Sequence, residues 1–317
     1  MESIAFIFPG QGSQTPGMGS AVAERYPEAR RCFEEASELL GWDLLQACQQ
    51  GPEERLRQTD VAQPALYVTG YAAATVLRSL AVEPGAVAGH SIGEYAALAF
   101  AGVFDFKEGL RLVRERGRLM QEAGQAHPGA MAAILGLAVE KLQACCEAAR
   151  GEGICVPVNF NSPEQIVIAG EKSAVEKVSL LASEQGAKRV IALNVSGAFH
   201  SPLMTEAAQA MRFLLQKVAF RDAAVPLVMN ADGQSHQRAD EIRETLARQL
   251  DNAVQWVKTM ETMRQEGNTR FVECGSGRVL SGLVKKFDRQ LQAYSTETTE
   301  ALAQAAEALG AARKGIP

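Results

Sequence analysis

Residues 89–93 read Gly89-His90-Ser91-Ile92-Gly93, a serine with a glycine two positions away on each side. This is the pattern of a nucleophile elbow, a sharp turn from strand to helix that lifts a serine hydroxyl clear of the backbone. The neighbours fit that context: Ala86-Val87-Ala88 reads as a short buried strand and Glu94–Ala99 as a helix. The glycines free the backbone to turn and keep side chains off the hydroxyl. The Ile92 amide, at the start of the helix, is placed to donate to a developing oxyanion. A serine in this position performs acyl chemistry through a covalent ester, although the five-residue pattern also arises by chance.

A serine hydroxyl near neutral pH needs a base. The chain has four histidines, His90, His127, His200 and His236. His90 directly precedes Ser91, so its ring should point away. His127 lies in a loop and His236 in a polar turn. His200 lies in Ser196-Gly197-Ala198-Phe199-His200-Ser201-Pro202, after a strand and before a helix, where one domain hands over to another. Sites form at such junctions, so His200 is the candidate base. A histidine that merely caps the helix is the alternative.

The helical stretch Phe106–Glu122 carries Arg111, Arg114, Arg116 and Arg118. At about 100° per residue, Arg116 alone falls on the apolar arc with Val113, Gly117 and Met120. A buried guanidinium requires a partner. On spacing alone, a structural ion pair and a fork gripping a substrate carboxylate both remain open.

The elements that position these residues alternate. Ser3–Phe8 is an apolar strand ending in the turn Pro9-Gly10-Gln11-Gly12-Ser13-Gln14. Helices follow over Tyr26–Leu40 and Pro64–Leu80, then the elbow strand and its helix, which predicts a parallel α/β sheet. Beyond residue 125 the order becomes strand Ala130–Leu137, helix Glu140–Ala149, strand Ile154–Phe160, strand Gln165–Ala169, helix Ala174–Glu184 and strand Arg189–Val195. That βαββαβ order is the ferredoxin-like split unit. It is expected as a small domain over 126–197, inserted in a large one over 1–125 and 198–317. Helices Pro202–Lys217, Ala239–Leu250 and Val254–Glu266 and strands Pro226–Met229, Arg270–Glu273 and Leu291–Tyr294 complete the large unit.

Composition sets outer bounds. The 317 residues are 47% hydrophobic and 22% charged, with a net charge of −5. The acidic balance argues against a general nucleic-acid or anionic-membrane binder. No apolar run approaches the roughly 20 residues of a membrane span, and Met1–Phe6 has no basic leader, so no signal peptide is expected. Six scattered cysteines without a C-x-x-C pair suggest free thiols in a reducing cytoplasm, with no structural zinc. No long amphipathic extension points to an obligate oligomer, and a monomer is expected.

Several segments occur together and in order: Gly10–Gln14, Gly89-His90-Ser91-Ile92-Gly93-Glu94, Arg116-Gly117, Asn159-Phe160-Asn161-Ser162-Pro163, Gly197–Ser201 and Gln249–Asn252. Together they resemble the malonyl-CoA:acyl-carrier-protein transacylases and the related acyltransferase domains of polyketide synthases, over nearly the whole chain. The resemblance implies an α/β-hydrolase-like core with a ferredoxin-like insert. It implies that Ser91 is acylated, that His200 is its base, and that the Gln11 and Ile92 amides form the oxyanion hole. Arg116 matches the arginine that holds the malonyl carboxylate, and Gln249 the residue whose backbone carbonyl orients the histidine. Phe199 stands in the malonyl-selecting Gly-Ala-Phe-His-Ser version of its segment, where its bulk would oppose an α-methyl group. The substrates implied are malonyl-CoA and the phosphopantetheine thiol of acyl carrier protein, without metal or redox cofactor, in fatty acid biosynthesis. A free-standing acyltransferase serving polyketide modules would share the same site. A serine esterase or thioesterase would need a carboxylate behind His200, and none is obvious. A non-catalytic scaffold would have no use for Ser91, His200 and Arg116 together. Docking an acidic carrier protein calls for a local basic patch, with Lys285-Lys286 and Arg289, or Lys188-Arg189, as candidates. Gly275-Ser276-Gly277 stands where the family usually carries Gly-Pro-Gly, which predicts a less rigid loop.

Overall fold

The computed structural model describes residues 3–195 and 197–310. The reading of Met1-Glu2 as leaderless, Ser196 of the junction segment, and residues 311–317 of the large-domain expectation lie outside the described residues. Two sheets organise the rest. Six strands are ordered β10-β9-β1-β2-β7-β8, with β1 Ser3–Phe8, β2 Ala86–Gly89, β7 Leu227–Val228, β8 Ser235–His236, β9 Asn268–Glu273 and β10 Gln292–Ser295. All neighbours in this sheet are parallel except β7 and β8, which pair antiparallel at one edge.

A parallel sheet buried on both faces needs strands that are apolar on both faces, and β1 shows why its sequence is a continuous apolar run. Ala5 and Ile7 pack with Trp256, Met260, Leu283 and Val284. Phe6 and Phe8 face the opposite layer, with Leu66, Tyr95 and Phe100, and the Phe6 and Phe100 rings lie 5.6 Å apart. Helices therefore cover both sides, and the strand ends are left to carry the site.

The second sheet is antiparallel, ordered β4-β5-β3-β6, with β3 Gly129–Leu135, β4 Cys155–Ser162, β5 Gln165–Glu171 and β6 Arg189–Ala192. This is the expected split βαββαβ arrangement. Alternation along β3 decides its packing. Ala132 and Ile134 face helices Val139–Ala148 and Lys172–Glu184. Met131 and Ala133 face the large hydrophobic core. Strand β4 is also bound to the large layer, since the Phe160 amide donates to the Val254 carbonyl at 2.9 Å and the Val254 amide to Val158 at 2.8 Å.

Some elements differ from expectation. The second long helix runs Thr59–Ser79, so Pro64 lies inside it rather than at its start. Strand β6 stops at Ala192; the Leu193 amide still donates to the Met131 carbonyl at 2.9 Å, and Leu193 and Val195 go on to line a cavity. Helices Leu44–Gln50, Val279–Phe287 and Thr299–Ala308 were not anticipated, nor was strand β8, where a polar turn was expected around His236; β7 falls within the expected strand Pro226–Met229. The first and last of these helices are short and are started by side-chain caps, Asp43 and Thr298. The Gly275-Ser276-Gly277 loop is held in place: Ser276 Oγ donates to the Ser13 carbonyl at 2.8 Å, and the Gly275 amide donates to Thr296 Oγ1 at 2.8 Å. A buried hydroxyl does the tethering that proline would do by ring closure. Among the described residues, no helix is long and apolar enough to cross a membrane.

Candidate active site

Strand β2 ends where the chain turns into helix Gly93–Phe100, and Ser91 sits at the turn. The left-handed residue is Ser91 itself, with φ 52°. The flanking glycines serve close approach instead. A Cβ on Gly89 would collide with the backbone of Gly93, and one on Gly93 with the Phe8 carbonyl. A non-glycine residue in this conformation costs of order 1–3 kcal/mol and needs support. Asn230, just beyond β7, supplies it. Its Oδ1 accepts from the Ser91 amide at 2.7 Å, and its Nδ2 donates to the Gly89 carbonyl at 2.5 Å. The Ser91 amide is thereby occupied. Among the described residues, neither the Gln11 nor the Ile92 amide donates to another backbone group outside regular structure.

His200 also has a positive φ, 61°, and only 4% of it is exposed. Its Nε2 lies 2.7 Å from Ser91 Oγ and its Nδ1 lies 2.9 Å from the Gln249 carbonyl. A carbonyl only accepts, so Nδ1 carries the proton and Nε2 is left free to take one. Burial, followed by the Arg116 charge, pushes the imidazole down to about 3. It is therefore neutral near physiological pH, with Nε2 unprotonated and facing Ser91 Oγ. His200 does not cap the following turn; Ser201 does, accepting from the Leu203 amide. The Gln249 turn is itself anchored, because Arg212 grips both oxygens of Asp251 at 2.8 and 2.7 Å and donates to the Ala247 carbonyl.

Arg116 is fully buried on helix Phe106–Ala126, while Arg111 and Arg118 are exposed and paired with glutamates. Its Nη2 donates to Ser91 Oγ at 3.1 Å and to Gln249 Oε1 at 2.9 Å. Nε and Nη1 make no hydrogen bond of good geometry, although the Tyr95 hydroxyl lies close enough to favour the charged form. Burial lowers its affinity for a proton; the Tyr95 hydroxyl and the Glu94 carboxylate beside it oppose that. Glu94 is the one charged side chain of an otherwise apolar helix and is wholly buried.

Ser91, His200, Gln11 and Phe199 line a cavity of about 80 Å³ together with Met131, Asn159, Leu193 and Val195 from the second sheet and its exit strand. That space holds a few waters or a short acyl group, not a long chain. A larger open groove of about 800 Å³ lies over residues 20–49, remote from the serine–histidine pair. His90, expected to point away, is also among the residues lining the cavity, with its Nε2 engaged 2.9 Å from Asn161 Oδ1. His236 pairs with Asp232 at 3.1 Å, and His127 caps the end of the arginine-bearing helix.

Sequence reasoning missed Glu94, Asn230 and the side chain of Gln249. One signal was present for Asn230, a polar residue directly after the apolar strand Leu227-Val228, at the strand end where sites of parallel sheets form. Of the basic candidates, Lys285 donates to the Leu291 carbonyl just before β10 begins, at the sheet edge opposite Ser91. Lys188 and Arg189 open β6, whose continuation lines the cavity.

The acyl transferase domain profile matches residues 5–305. The chain belongs to this acyltransferase family. Among its relatives, malonyl CoA-acyl carrier protein transacylase of Escherichia coli K12 is 44% identical over 308 residues, covering 97% of this chain and 100% of that protein. The solved transacylase of the same name from Coxiella burnetii superposes with a TM-score of 0.94 at 39% identity, covering 97% and 98% of the two chains. A malonyl-transacylase solved in complex with its type II polyketide acyl-carrier protein also gives 0.94, at 43% identity over 96% and 99%. These acyltransferases share the mixed fold, with a parallel core and a separate antiparallel sheet.

In this acyltransferase the depressed pKa of His200 keeps the base form as the pH falls. Ser91 labelling by a neutral fluorophosphonate should therefore change less than about threefold between pH 7.5 and 5, where a histidine titrating near 6.5 would lose about thirtyfold. A thirtyfold loss would contradict the buried neutral base.

Proposed function

We propose that the chain moves a malonyl group from malonyl-CoA to the phosphopantetheine thiol of acyl carrier protein, through a malonyl ester on Ser91. The observation that carries this reading is the wholly buried Arg116, 3.1 Å from Ser91 Oγ with Nε and Nη1 making no hydrogen bond of good geometry. A buried guanidinium with vacant donors matches an acyl group that ends in a carboxylate.

In the first half-reaction His200 Nε2 takes the Ser91 proton as Oγ attacks the thioester carbonyl. The Gln11 and Ile92 amides receive the oxyanion. Collapse expels the CoA thiolate, which recovers the proton from His200. In the second half the carrier thiol gives its proton to His200 and attacks the ester, and Ser91 leaves protonated. The neutral Gln249 carbonyl behind His200 orients the ring without placing a negative charge beside an anionic substrate. A hydrolase would instead gain from a carboxylate there. Phe199 narrows the cavity against an α-methyl group, a preference of about 1–3 kcal/mol. No metal or redox group enters the scheme. The six free cysteines fit a cytoplasmic enzyme, which we place in fatty acid synthesis as a monomer. The same site serves a polyketide carrier equally.

Intact-mass measurement after mixing with malonyl-, methylmalonyl- and acetyl-CoA tests the assignment. Arg116→Ala should cut malonyl loading by at least about a hundredfold and leave or raise acetyl loading. Full malonyl loading by that variant, with no gain in acetyl, sinks the carboxylate clamp. For the carrier, reversing Lys188 and Arg189 to glutamate should raise its KM several-fold without moving that of malonyl-CoA. Reversing Lys285 and Lys286 should do neither. The opposite pattern would place docking at the far edge of the sheet.

A further inference from the structure

Glu94 lies one turn beyond Ser91, hydrogen-bonds to Asn230 and Gln249 and not to His200, and has no part in the steps above. Its surroundings are nonetheless fully specified. One oxygen accepts from the Asn230 amide at 2.6 Å and the other from Gln249 Nε2 at 2.6 Å. The same Gln249 Nε2 donates to the Ser91 carbonyl at 2.8 Å, and Gln249 Oε1 accepts from Arg116 Nη2.

A side-chain amide has a donating end and an accepting end. Burial pushes the Glu94 carboxyl up to about 7, opposed by the Asn230 amide, the Gln249 amide and the Arg116 charge; in its ionised form it only accepts, so it favours the Gln249 amide facing it with nitrogen. The amide oxygen then faces Arg116. Turned the other way, the amide would set oxygen against carboxylate and nitrogen against guanidinium, two buried mismatches at once. Glu94 and the Ser91 carbonyl, which both accept from Nε2, thus fix which atom of Gln249 meets the arginine, and that bond pins Nη2 while Nε and Nη1 make no hydrogen bond of good geometry. When ionised, Glu94 also offsets the charge of Arg116 in a region closed to water.

We propose that Glu94 is a positioning residue for acyl-group selection, acting through the Gln249 side chain to hold Arg116 at the angle that receives a carboxylate. The assignment rests on the malonyl reading. It separates selection from the proton-transfer machinery, because His200 is held by the backbone carbonyl of Gln249 and not by its amide.

The separation is measurable. Glu94→Gln keeps the shape but offers an amide where two donors require an acceptor. In single-turnover loading of Ser91, the malonyl rate at low malonyl-CoA should fall at least about tenfold, and acetyl loading and fluorophosphonate labelling should stay within about threefold. The malonyl-to-acetyl ratio then collapses by about tenfold or more. A parallel fall of malonyl loading, acetyl loading and labelling, or no change in any of them, overturns the proposal. If Glu94→Gln does not fold, Gln249→Leu reads the same link: it keeps the peptide carbonyl and deletes the amide. It should also collapse the ratio, and an unaltered ratio overturns the proposal. Lack of malonyl preference in the unmodified protein would instead overturn the malonyl reading, and this assignment with it.

Discussion

A guanidinium held in the dry interior beside a serine hydroxyl sets the terms for everything around it. Burying an isolated charge costs several kcal/mol unless it is paired and hydrogen-bonded. Arg116 meets that demand with Gln249 Oε1, Ser91 Oγ, the Tyr95 ring 5.6 Å away and the Glu94 carboxyl in its ionised form, whose pKa burial raises to about 7. The Arg116 charge helps hold His200 neutral, so the proposed carboxylate clamp also bears on the state of the proposed base. The reading of Arg116 as a structural ion pair and the reading of it as a substrate fork are therefore not exclusive. Its pairing leaves two of its nitrogens without a hydrogen bond of good geometry.

The scaffold stores the strain that this arrangement needs. Ser91 and His200 both adopt left-handed backbone, at φ 52° and 61°. Each is over-determined from outside its own segment. Ser91 is clamped by Asn230 from the next strand, and His200 by a turn that Arg212 and Asp251 brace. The second sheet contributes walls instead of chemistry. Met131 and Asn159 come from it, and Leu193 and Val195 depart from it, closing a cavity that suits a short acyl group and limits water.

Much of this was legible in the chain. The elbow, the inward arginine and the junction histidine each have a local signature: glycine spacing, helical periodicity, and a polar break between strand and helix. The βαββαβ order was readable because short apolar runs, Ala130–Leu135 and Ile166–Ala169 among them, are set apart by turn residues and by charge-bearing helical stretches. What escaped was set by tertiary contact. Glu94 reads as an ordinary first-turn acid near a helix N-terminus until the helix is seen to be buried on all sides. The amide orientation of Gln249 depends on three residues far apart in sequence, Ser91, Glu94 and Arg116. The hairpin β7–β8 is only two residues per strand, too short to show a period. Ser276 looked like a loss of rigidity because its partner, the Ser13 carbonyl, is invisible in a linear reading.

The central claim is that Ser91 holds a malonyl group for a thiol and not for water. Its most direct test is the fate of the purified malonyl-enzyme, followed by intact mass with and without acyl carrier protein in its phosphopantetheine form. The account predicts an adduct on Ser91 that persists in buffer and passes to the carrier when the carrier is added. Rapid release of free malonate in buffer alone, at a rate the carrier does not change, would contradict it.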